Sequence, residues 1–341
     1  MNILVTGGAG YIGSHTALAL RQAGFTPVVL DSLVTGHEWA VKYGPFVRGD
    51  VGDAAVERAL CAEYKPEALI HFAAFIDVGE SVANPKKYIE NNYHKAVRLF
   101  ETAQECGVKK VVFSSSAAVY GVPQDEKPIK EDHPLLPINP YGESKLMAEM
   151  HLRSLKEVQS VTLRYFNAAG AAPIEEGLGE AHNPETHLIP NAIGTGLGRG
   201  KPLRIFGADY PTPDGTAIRD YVHVMDLAAA HVAALRYLLG GGASEVCNLG
   251  TGKGSSVQEV VGAVERAWGE SVPKIVQPRR AGDPPRLVAD VSRAEKLLGW
   301  EARSSLQEIV ESALAWHRSE AYSRAVRFSI GAPCSSPKTC A

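Results

Sequence analysis

A tyrosine and a lysine stand four positions apart in the segment Tyr141-Gly-Glu-Ser-Lys145. On an α-helix this spacing places both side chains on one face, one turn apart, where they can contact the same ligand. A lysine cation beside a phenol lowers the phenol pKa from about 10, which would make Tyr141 a usable general base near neutral pH. Surface tyrosines and lysines also occur at this spacing by chance, so the pair alone is weak support for catalysis.

A run of serines lies upstream of this pair. Ser114-Ser115-Ser116 follow Lys110-Val-Val-Phe113, whose apolar residues are typical of a buried strand. Ligands of open α/β sheets bind beyond the carboxyl ends of the strands, so Ser116 is expected to direct its hydroxyl into the same cleft as Tyr141. The alternative is that the serines form an ordinary loop.

The first strand of the chain ends in closely spaced glycines. The apolar run Ile3-Leu-Val5 leads into Gly7-Gly-Ala-Gly10-Tyr-Ile-Gly13. The spacing G-x-x-G-x-x-G is typical of a strand that turns into a helix around a pyrophosphate, which the helix N-terminus binds. Glycine clusters also form ordinary tight turns, and this alternative stays open for the motif alone.

An acidic residue ends the second apolar run, Pro27-Val-Val-Leu30-Asp31. It lies about 20 residues after the glycines, where an acid binds the adenosine ribose hydroxyls and repels the extra phosphate of NADP. The sequence therefore predicts NAD as cofactor. Taken alone, Asp31 is also compatible with a solvated loop acid.

Strand and helix patterns alternate through the first half of the chain. Helices are predicted at residues 14–23, 54–64 and 86–106 and from about residue 141, with strands at 45–48, 68–74, 110–113 and 161–166. This alternation specifies an α/β fold, a Rossmann-type doubly wound parallel sheet with right-handed crossovers.

The second half of the chain has a different amino-acid composition, with loops rich in Gly, Pro, Asn and His. Helices are predicted near residues 188–198, 224–239, 257–268 and 305–316. We expect residues 1–166 to form the nucleotide-binding domain, with about 220–250 folding back onto it. Residues 167–328 would form a smaller, interleaved substrate-binding domain, and residues 329–341 a flexible tail.

Composition narrows the class of protein. The 341 residues are 45% hydrophobic and 21% charged, and the net charge of -3 gives no reason to expect nucleic acid or an anionic membrane. No apolar run approaches the ~20 residues of a membrane span. No leader is evident, and the odd, scattered cysteines lack metal-type spacing, so we expect the reducing cytoplasm and no metal ion. The cysteines are Cys61, Cys106, Cys247, Cys334 and Cys340.

Longer motifs extend these observations. With the glycine turn, Asp31, Ser116 and the Tyr141–Lys145 pair, the chain resembles the extended short-chain dehydrogenase/reductase family, in particular its UDP-sugar 4-epimerase branch. The resemblance runs from Asn2 to about His317. Its specific segments are Val78-Gly-Glu-Ser81, Phe113-Ser-Ser-Ser116, Asn139-Pro-Tyr-Gly-Glu-Ser-Lys-Leu-Met147, Arg164-Tyr-Phe-Asn-Ala-Ala-Gly170, Pro184-Glu-Thr-His-Leu-Ile-Pro190, the run 207–223 and Asn248-Leu-Gly-Thr-Gly252.

The resemblance implies roles for individual residues. The catalytic residues would be Tyr141, Lys145 and Ser116. The NAD-binding residues would be Gly7, Gly10, Tyr11, Ile12, Gly13, Asp31, Asp50, Val51, Phe72, Ala73, Ala74, Asn91, Ser114, Tyr141, Lys145 and Phe166. The substrate would be bound by Ser116, Tyr141, Asn167, His187, Leu188, Arg219, Arg280, Asp283 and Leu287. For Arg280 the alternative is a solvated basic loop.

The resemblance further implies the reaction. UDP-glucose and UDP-galactose would be interconverted through a 4-keto intermediate, with tightly bound NAD taking and returning the C4 hydride. The bound nicotinamide cation would further lower the pKa of Tyr141. Ile76 stands where some relatives have a lysine, so that contact is lost. The subunits would pair as homodimers through helices matching 86–106 and 141–158, with Val97, Phe100, Leu146, Met150 and Leu155 on their apolar faces; the alternative is that these residues face their own sheet.

Other functions compete with this interpretation. A nucleotide-sugar dehydratase would need an Asp-Glu pair just after Ser116, where this chain has Ala117-Ala118. A UDP-pentose 4-epimerase is the main alternative, and a non-catalytic NAD-binding sensor would have no use for Tyr141 and Lys145 together. Leu287 matches a position beside the sugar 2-substituent, where tyrosine excludes and small residues admit N-acetylated sugars. Slower action on UDP-N-acetylhexosamines is therefore expected.

Overall fold

Seven parallel strands form the main sheet of the computed structural model, which describes residues 1–280 and 282–329. The first strands are β1 (Asn2–Thr6), β2 (Thr26–Asp31), β3 (Phe46–Arg48), β4 (Ala68–His71), β5 (Lys110–Ser116) and β6 (Gln159–Tyr165). The short strands β7 (Asn167–Ala169), β8 (Leu203–Phe206), β9 (Ile218–Arg219) and β10 (Tyr221–His223) precede β11 (Glu245–Leu249). The strand order β11-β6-β5-β4-β1-β2-β3 reverses direction at β1, as a doubly wound fold requires.

Helices cover both faces of this sheet. They are α1 (Tyr11–Gln22), α2 (Ala54–Tyr64), α3 (Val78–Ala83), α4 (Pro85–Tyr88), α5 (Lys95–Glu105), α6 (Pro140–Ser154), α7 (Leu188–Gly196), α8 (Val224–Leu239), α9 (Val257–Trp268), α10 (Ser292–Leu298), α11 (Leu306–Arg318) and α12 (Glu320–Ser329). Three further short strands are β12 (Ser255–Ser256), β13 (Lys274–Gln277) and β14 (Arg286–Leu287).

Alternation along β1 shows why the sheet is covered twice. Ile3 and Val5 pack into one core with Leu20 of α1 and Leu227 of α8. Leu4, between them, packs into the opposite core with residues of α2, α5 and α6. Successive side chains of a strand point to opposite faces, so a strand that is apolar throughout must be covered on both sides. The predicted fold class is confirmed.

A late segment completes the sheet. Helix α8 packs against α1, and β11 pairs in parallel with β6, with Glu245 opposite Val161. A separate core lies away from the sheet, among α7, α9 and α11, and contains Ile193, Val260 and Val310. These contacts agree with the expected return of residues 220–250, while the domain boundary itself stays a prediction.

The long helix expected at 86–106 is present as a continuous helical segment, in which α4 and α5 are joined by a π-helix at Ile89–His94. Other predicted boundaries were wrong. The first helix begins at Tyr11 rather than residue 14, because Gly10 already has the extended N-cap conformation. Helix α6 ends at Ser154, so its expected continuation to residue 158 is not helical.

The C-terminal prediction is tested only at its start. Ser329 ends helix α12, so the tail does not begin there, and residues 330–341 lie outside the described residues. Within the described part of the chain, no helix combines the length and apolar character needed to cross a membrane.

Candidate active site

One cleft beyond the carboxyl ends of the strands contains every site residue that the sequence predicts. Its volume is about 1870 Å³, larger than the roughly 300–1000 Å³ usual for a single small-molecule site. The predicted residues in its wall are Gly7, Gly10, Tyr11, Ile12, Gly13, Asp31, Asp50, Val51, Phe72, Ala73, Ala74, Asn91, Ser114, Ser116, Tyr141, Lys145, Phe166, Asn167, His187, Leu188, Arg219, Arg280, Asp283 and Leu287. The structure thus shows their common location, while their individual roles stay predictions.

The glycine turn leaves no room for side chains. A Cβ atom at Gly7, whose φ is +74°, would lie 2.5 Å from the Ala73 backbone nitrogen. At Gly13 it would lie 2.2 Å from the Gly7 carbonyl oxygen, so β1 and α1 approach closely only with glycine. Among the described residues, no side chain caps the start of α1. Its first amides are therefore free to bind a phosphate, which fits a dinucleotide.

Asp31 is held at the end of β2 by backbone amides. Its carboxylate accepts hydrogen bonds from Ala9 N at 3.0 Å and Leu33 N at 2.8 Å. The residue is only 7% exposed, and burial raises the pKa of its carboxyl while the two amides act in the opposite direction. The acid is thus fixed between the glycine turn and the cleft, as ribose binding requires.

The loop after β4 is fixed by a residue that the sequence interpretation missed. Asn92 accepts a hydrogen bond from Phe75 N and donates one to Phe75 O, both at 2.9 Å. It also accepts from the neighbouring Asn91, which lines the cleft. The only sequence signal was a pair of asparagines inside a predicted helix. Both lie in the π-helix, an irregularity often found at functional sites.

The three predicted catalytic residues are brought together by β5 and α6. Ser116 ends β5 and accepts a hydrogen bond from Ala118 N at 3.1 Å. Asn139 caps α6 through Gly142 N, which places Tyr141 in the first helical turn. The hydroxyl of Ser116 acts on the phenol of Tyr141 and favours its ionised form. This hydroxyl is therefore the polar group available to relay a proton.

Lys145 lies one turn further along α6 and is buried. Its Nζ donates to Ser114 O at 2.8 Å and lies 5.2 Å from the centre of the Phe113 ring. Burial lowers the lysine pKa to about 7, although the charge of Glu149 opposes this shift. Lys145 is thus only partly charged near neutral pH.

The predicted direction of the tyrosine shift is wrong for the protein alone. Burial raises the pKa of Tyr141, and the Ser116 hydroxyl lowers it only in part. The physical reason is that a phenolate loses its hydration in the cleft. A cation bound beside the phenol would favour the phenolate form.

A buried ion pair between Glu149 and Arg164 holds α6 against the sheet next to the predicted catalytic residues. Glu149 of α6 accepts from Arg164 Nη2 at 2.6 Å and Nε at 3.1 Å, and it also accepts from Ser115. The side chains of Glu149 and Arg164 are each 3% exposed. The pair joins α6 to β5 and β6, which sets the distance between Lys145 and the strand end.

The residues predicted to bind the substrate are held by contacts between segments that lie far apart in the sequence. Arg219 donates to Asp283 and, at 2.7 Å, to Ile218 O. Arg280 is exposed and stacks on Phe206, with 4.1 Å from its guanidinium carbon to the ring centre. Arg280 is therefore solvent-exposed, as the solvated-loop alternative expects. The Phe206 ring nevertheless holds its guanidinium group at the cleft.

The fully buried Asp220 ties these segments together, and sequence reasoning missed it. Its carboxylate accepts from Thr251 N at 2.7 Å, Gly252 N at 3.0 Å and Ala289 N at 3.1 Å. Its own carbonyl accepts from Asn167 N at 2.9 Å. The side chain of Asp220 thus positions the turn after β11 and the segment that carries Leu287, while its backbone pairs with the start of β7.

His187 enters the cleft at the start of α7. Its Nδ1 lies 2.7 Å from Glu180 and 2.8 Å from Glu185. Burial would lower the pKa of His187, but the two carboxylates outweigh this effect and raise it to about 10.

This fold and this site define a class of protein. A doubly wound sheet, a glycine turn followed by an acid at the end of β2, and Ser, Tyr and Lys at the carboxyl edge indicate an enzyme that uses a nicotinamide dinucleotide. Residues 3–250 match the NAD dependent epimerase/dehydratase family, and the chain belongs to that family.

Curated proteins and solved structures agree with this assignment. The chain is 48% identical over 318 residues to a UDP-glucose 4-epimerase of Rhizobium leguminosarum bv. trifolii, covering 92% of this chain and 97% of that protein. It is similar to the NAD-bound UDP-glucose 4-epimerase of Brucella ovis, with a TM-score of 0.89, 48% identity and coverage of 92% and 97% of the two chains. A UDP-Glc/GlcNAc 4-epimerase of Campylobacter jejuni gives a TM-score of 0.81 and 42% identity over 93% of this chain and 99% of that chain.

Proposed function

We propose that this protein interconverts UDP-glucose and UDP-galactose by epimerisation at C4, with NAD as a resident cofactor. The observation that carries the proposal is the placement of Ser116, Tyr141 and Lys145 beside a dinucleotide turn in one cleft. The similar protein from Rhizobium leguminosarum carries this activity in its name, and the structure from Brucella ovis contains NAD.

The chain's own residues move a proton and hold the ligands. Tyr141 removes the proton of the sugar 4-hydroxyl, and the hydroxyl of Ser116, in the same cleft, relays it. Lys145 holds the cofactor ribose. The chemistry that NAD supplies when bound is acceptance of the C4 hydride and its return to the opposite face of the 4-keto sugar.

The nucleoside diphosphate is held on the opposite side of the cleft. The guanidinium groups of Arg219 and Arg280 pair well with phosphate oxygens, because their planar donors match two oxygens at once. Asp283 orients Arg219 through their ion pair. These contacts keep the nucleotide bound while the 4-keto sugar turns its opposite face to the cofactor.

The direct test is epimerisation without added cofactor. Purified protein should convert UDP-galactose to UDP-glucose in the absence of external NAD or reductant, as followed by proton NMR. Acid-denatured protein should release NAD rather than NADP, because Asp31 occupies the ribose site. A protein that holds NAD yet turns over no UDP-sugar would support the sensor alternative instead.

The same assay separates the remaining alternatives. A dehydratase would yield a stable 4-keto-6-deoxy sugar, but Ala117 and Ala118 offer no carboxylate for that elimination. Preferential turnover of UDP-xylose or UDP-arabinose would favour the pentose alternative. Slower turnover of UDP-N-acetylglucosamine is proposed because Leu287 lies in the cleft wall and packs, as Phe166 does, against the core that contains Val119.

Two further proposals concern assembly and location. We propose a homodimer paired through α5 and α6, on which Met150 is 65% exposed. Phe100, however, is 1% exposed and packs on its own sheet, so its place in the predicted interface was wrong. A monomer mass independent of concentration in light scattering would contradict the dimer. A cytoplasmic location is proposed from the free thiols of Cys61, Cys106 and Cys247.

A further inference from the structure

Four potential metal ligands converge just before helix α7. Glu180, His182, Glu185 and His187 each offer one donor atom, and these atoms all lie within 4.8 Å of one another. They follow the spacing Glu-x-His-x-x-Glu-x-His within a single loop. Cysteine spacing alone gave no sign of this group.

Hydrogen bonds join these four side chains, but one ring nitrogen is shared between two carboxylates. His187 Nδ1 lies 2.7 Å from Glu180 Oε1 and 2.8 Å from Glu185 Oε1. A ring nitrogen carries at most one hydrogen, so it cannot donate a well-aligned bond to both carboxylates. Glu180 Oε1 also lies 2.9 Å from His182 Nδ1. Two carboxylates and two ring nitrogens therefore converge, and Glu180 Oε1 faces both nitrogens.

The donor set matches a divalent transition metal. Once the ion displaces the proton that the carboxylates favour on His187, two carboxylates and two neutral imidazoles balance its charge, and imidazole donors favour metals such as zinc over magnesium or calcium. Tetrahedral zinc with bonds of about 2.1 Å separates its ligands by about 3.4 Å. The contacts between rings and carboxylates, at 2.7 to 2.9 Å, are shorter than that value, so the side chains would move apart slightly to complete the coordination.

The surroundings hold the donors in place. Glu180 is 3% exposed, and its backbone carbonyl accepts from Trp316 Nε1 at 2.8 Å. Glu185 Oε1 accepts from the backbone amides of Thr186 and His187, both at 2.7 Å. The His182 ring packs edge-on against Tyr11, with 6.2 Å between ring centres. Such outer contacts orient metal ligands and raise metal affinity.

We propose that Glu180, His182, Glu185 and His187 form a binding site for one divalent transition-metal ion, with Zn²⁺ as its expected occupant. The ion would fasten the loop before α7 to the wall of the cleft next to the start of α1. No predicted catalytic residue takes part in this site, although His187 is also predicted to contact the substrate.

The test is a zinc titration of tag-free, NAD-containing protein from which metals have been removed by a chelator. Competition with a chromophoric chelator should show one Zn²⁺ per chain, with a Kd of about 10⁻⁷ M or tighter, as for structural zinc sites. Zn²⁺ should also raise the Tm. Glu180→Gln and His182→Gln should each weaken binding by about 100-fold or more, because each removes one ligand.

Matched controls are available outside the site. His94→Gln and Glu175→Gln change exposed residues of the same types and should bind Zn²⁺ like the unmodified protein. If Glu180→Gln fails to fold, the partly exposed His182 keeps the test valid. Absence of saturable one-site binding, or unchanged affinity in a folded His182→Gln protein, would show a hydrogen-bonded charge cluster only and overturn the proposal. Epimerase activity is not used as a readout, so this result stands apart from that of the activity assay.

Discussion

Lys145 is held by the carbonyl of Ser114, at the end of the strand on which its helix packs, whereas Arg219 is held by Asp283, 64 positions further along the chain. The first contact belongs to what we term the catalytic edge, formed by Ser114, Ser116, Tyr141 and Lys145. The second belongs to the substrate rim, formed by Arg219, Arg280, Asp283 and Leu287.

The two regions are built from different elements. The catalytic edge lies on a seven-residue strand and a fifteen-residue helix, β5 and α6, joined beneath by the buried Glu149–Arg164 pair. The substrate rim lies on the two-residue strands β9 and β14 and the loop before β14. We therefore expect substitutions in the edge to change kcat and substitutions in the rim to change KM and substrate choice.

The largest effect is expected at the edge. Tyr141→Phe should lower kcat by about 100-fold or more, because a positioned acid-base group is removed. Bound NAD and the Tm should be nearly unchanged, since the ring remains. Steady-state kinetics and NAD release measure these quantities. Tyr237→Phe, outside the cleft, is the control. Near-normal turnover of Tyr141→Phe would contradict the assigned role of the edge.

The next effect is expected at the rim. Arg219→Gln should raise the Kd of UDP-glucose by about 10- to 100-fold, the usual weight of a hydrogen bond to a charged group. The kcat at saturating substrate should change much less. Calorimetric binding of UDP and kinetics at high substrate separate the two quantities, with exposed Arg266→Gln as control. If Arg219→Gln lowered only kcat and left UDP binding unchanged, the proposed division of roles between the substrate rim and the catalytic edge would be contradicted.

A smaller effect is expected from side-chain volume at the rim. Leu287→Tyr should lower kcat/KM for UDP-N-acetylglucosamine by about 10-fold and leave UDP-glucose nearly unchanged, since overpacking costs roughly 1–3 kcal/mol. Leu287→Met, of similar volume, should leave both substrates unaffected. If the unmodified enzyme shows no N-acetyl activity at saturating substrate, Leu287 does not control the size of the sugar pocket.

The smallest effect concerns the charge of Lys145. Its pKa is about 7 in the folded protein and about 10.4 in the unfolded chain. Between these two pH values Lys145 is protonated in the unfolded chain and largely neutral in the folded protein. The free energy of unfolding therefore increases as the pH rises from 7 to 10, and Lys145 causes no change in it below about pH 7.

The measurement compares Tm values of the unmodified protein and Lys145→Met from pH 6 to 9. The difference should stay constant up to about pH 7 and then move by a few degrees in favour of the unmodified protein. Exposed Lys156→Met should show no such change. A difference that moves in the opposite direction would mean that Lys145 is charged throughout this range.

The same contrast explains which parts of the site the sequence revealed. Residues of the cofactor side follow one another within a strand, a turn and a helix, so Gly7, Gly13 and Asp31 are found from spacing alone. Asn92 and Asp220 have no such pattern, because they act on segments that only folding brings near. The loop of the proposed metal site is an exception, since its spacing is local but the convergence of its ligands depends on side-chain direction.

The sequence by itself determined the α/β class, the order of strands and helices and the cofactor turn. These follow from local periodicity and from spacings of a few residues, which the backbone converts directly into position. The residues of the catalytic edge were predicted from the resemblance to a known family, because their spacing alone is weak support. The tertiary structure decided the pairing of Arg219 with Asp283, the anchoring of three segments by Asp220 and the raised pKa of Tyr141. Each depends on burial or on contact between distant segments, and neither quantity is contained in a local pattern of residues.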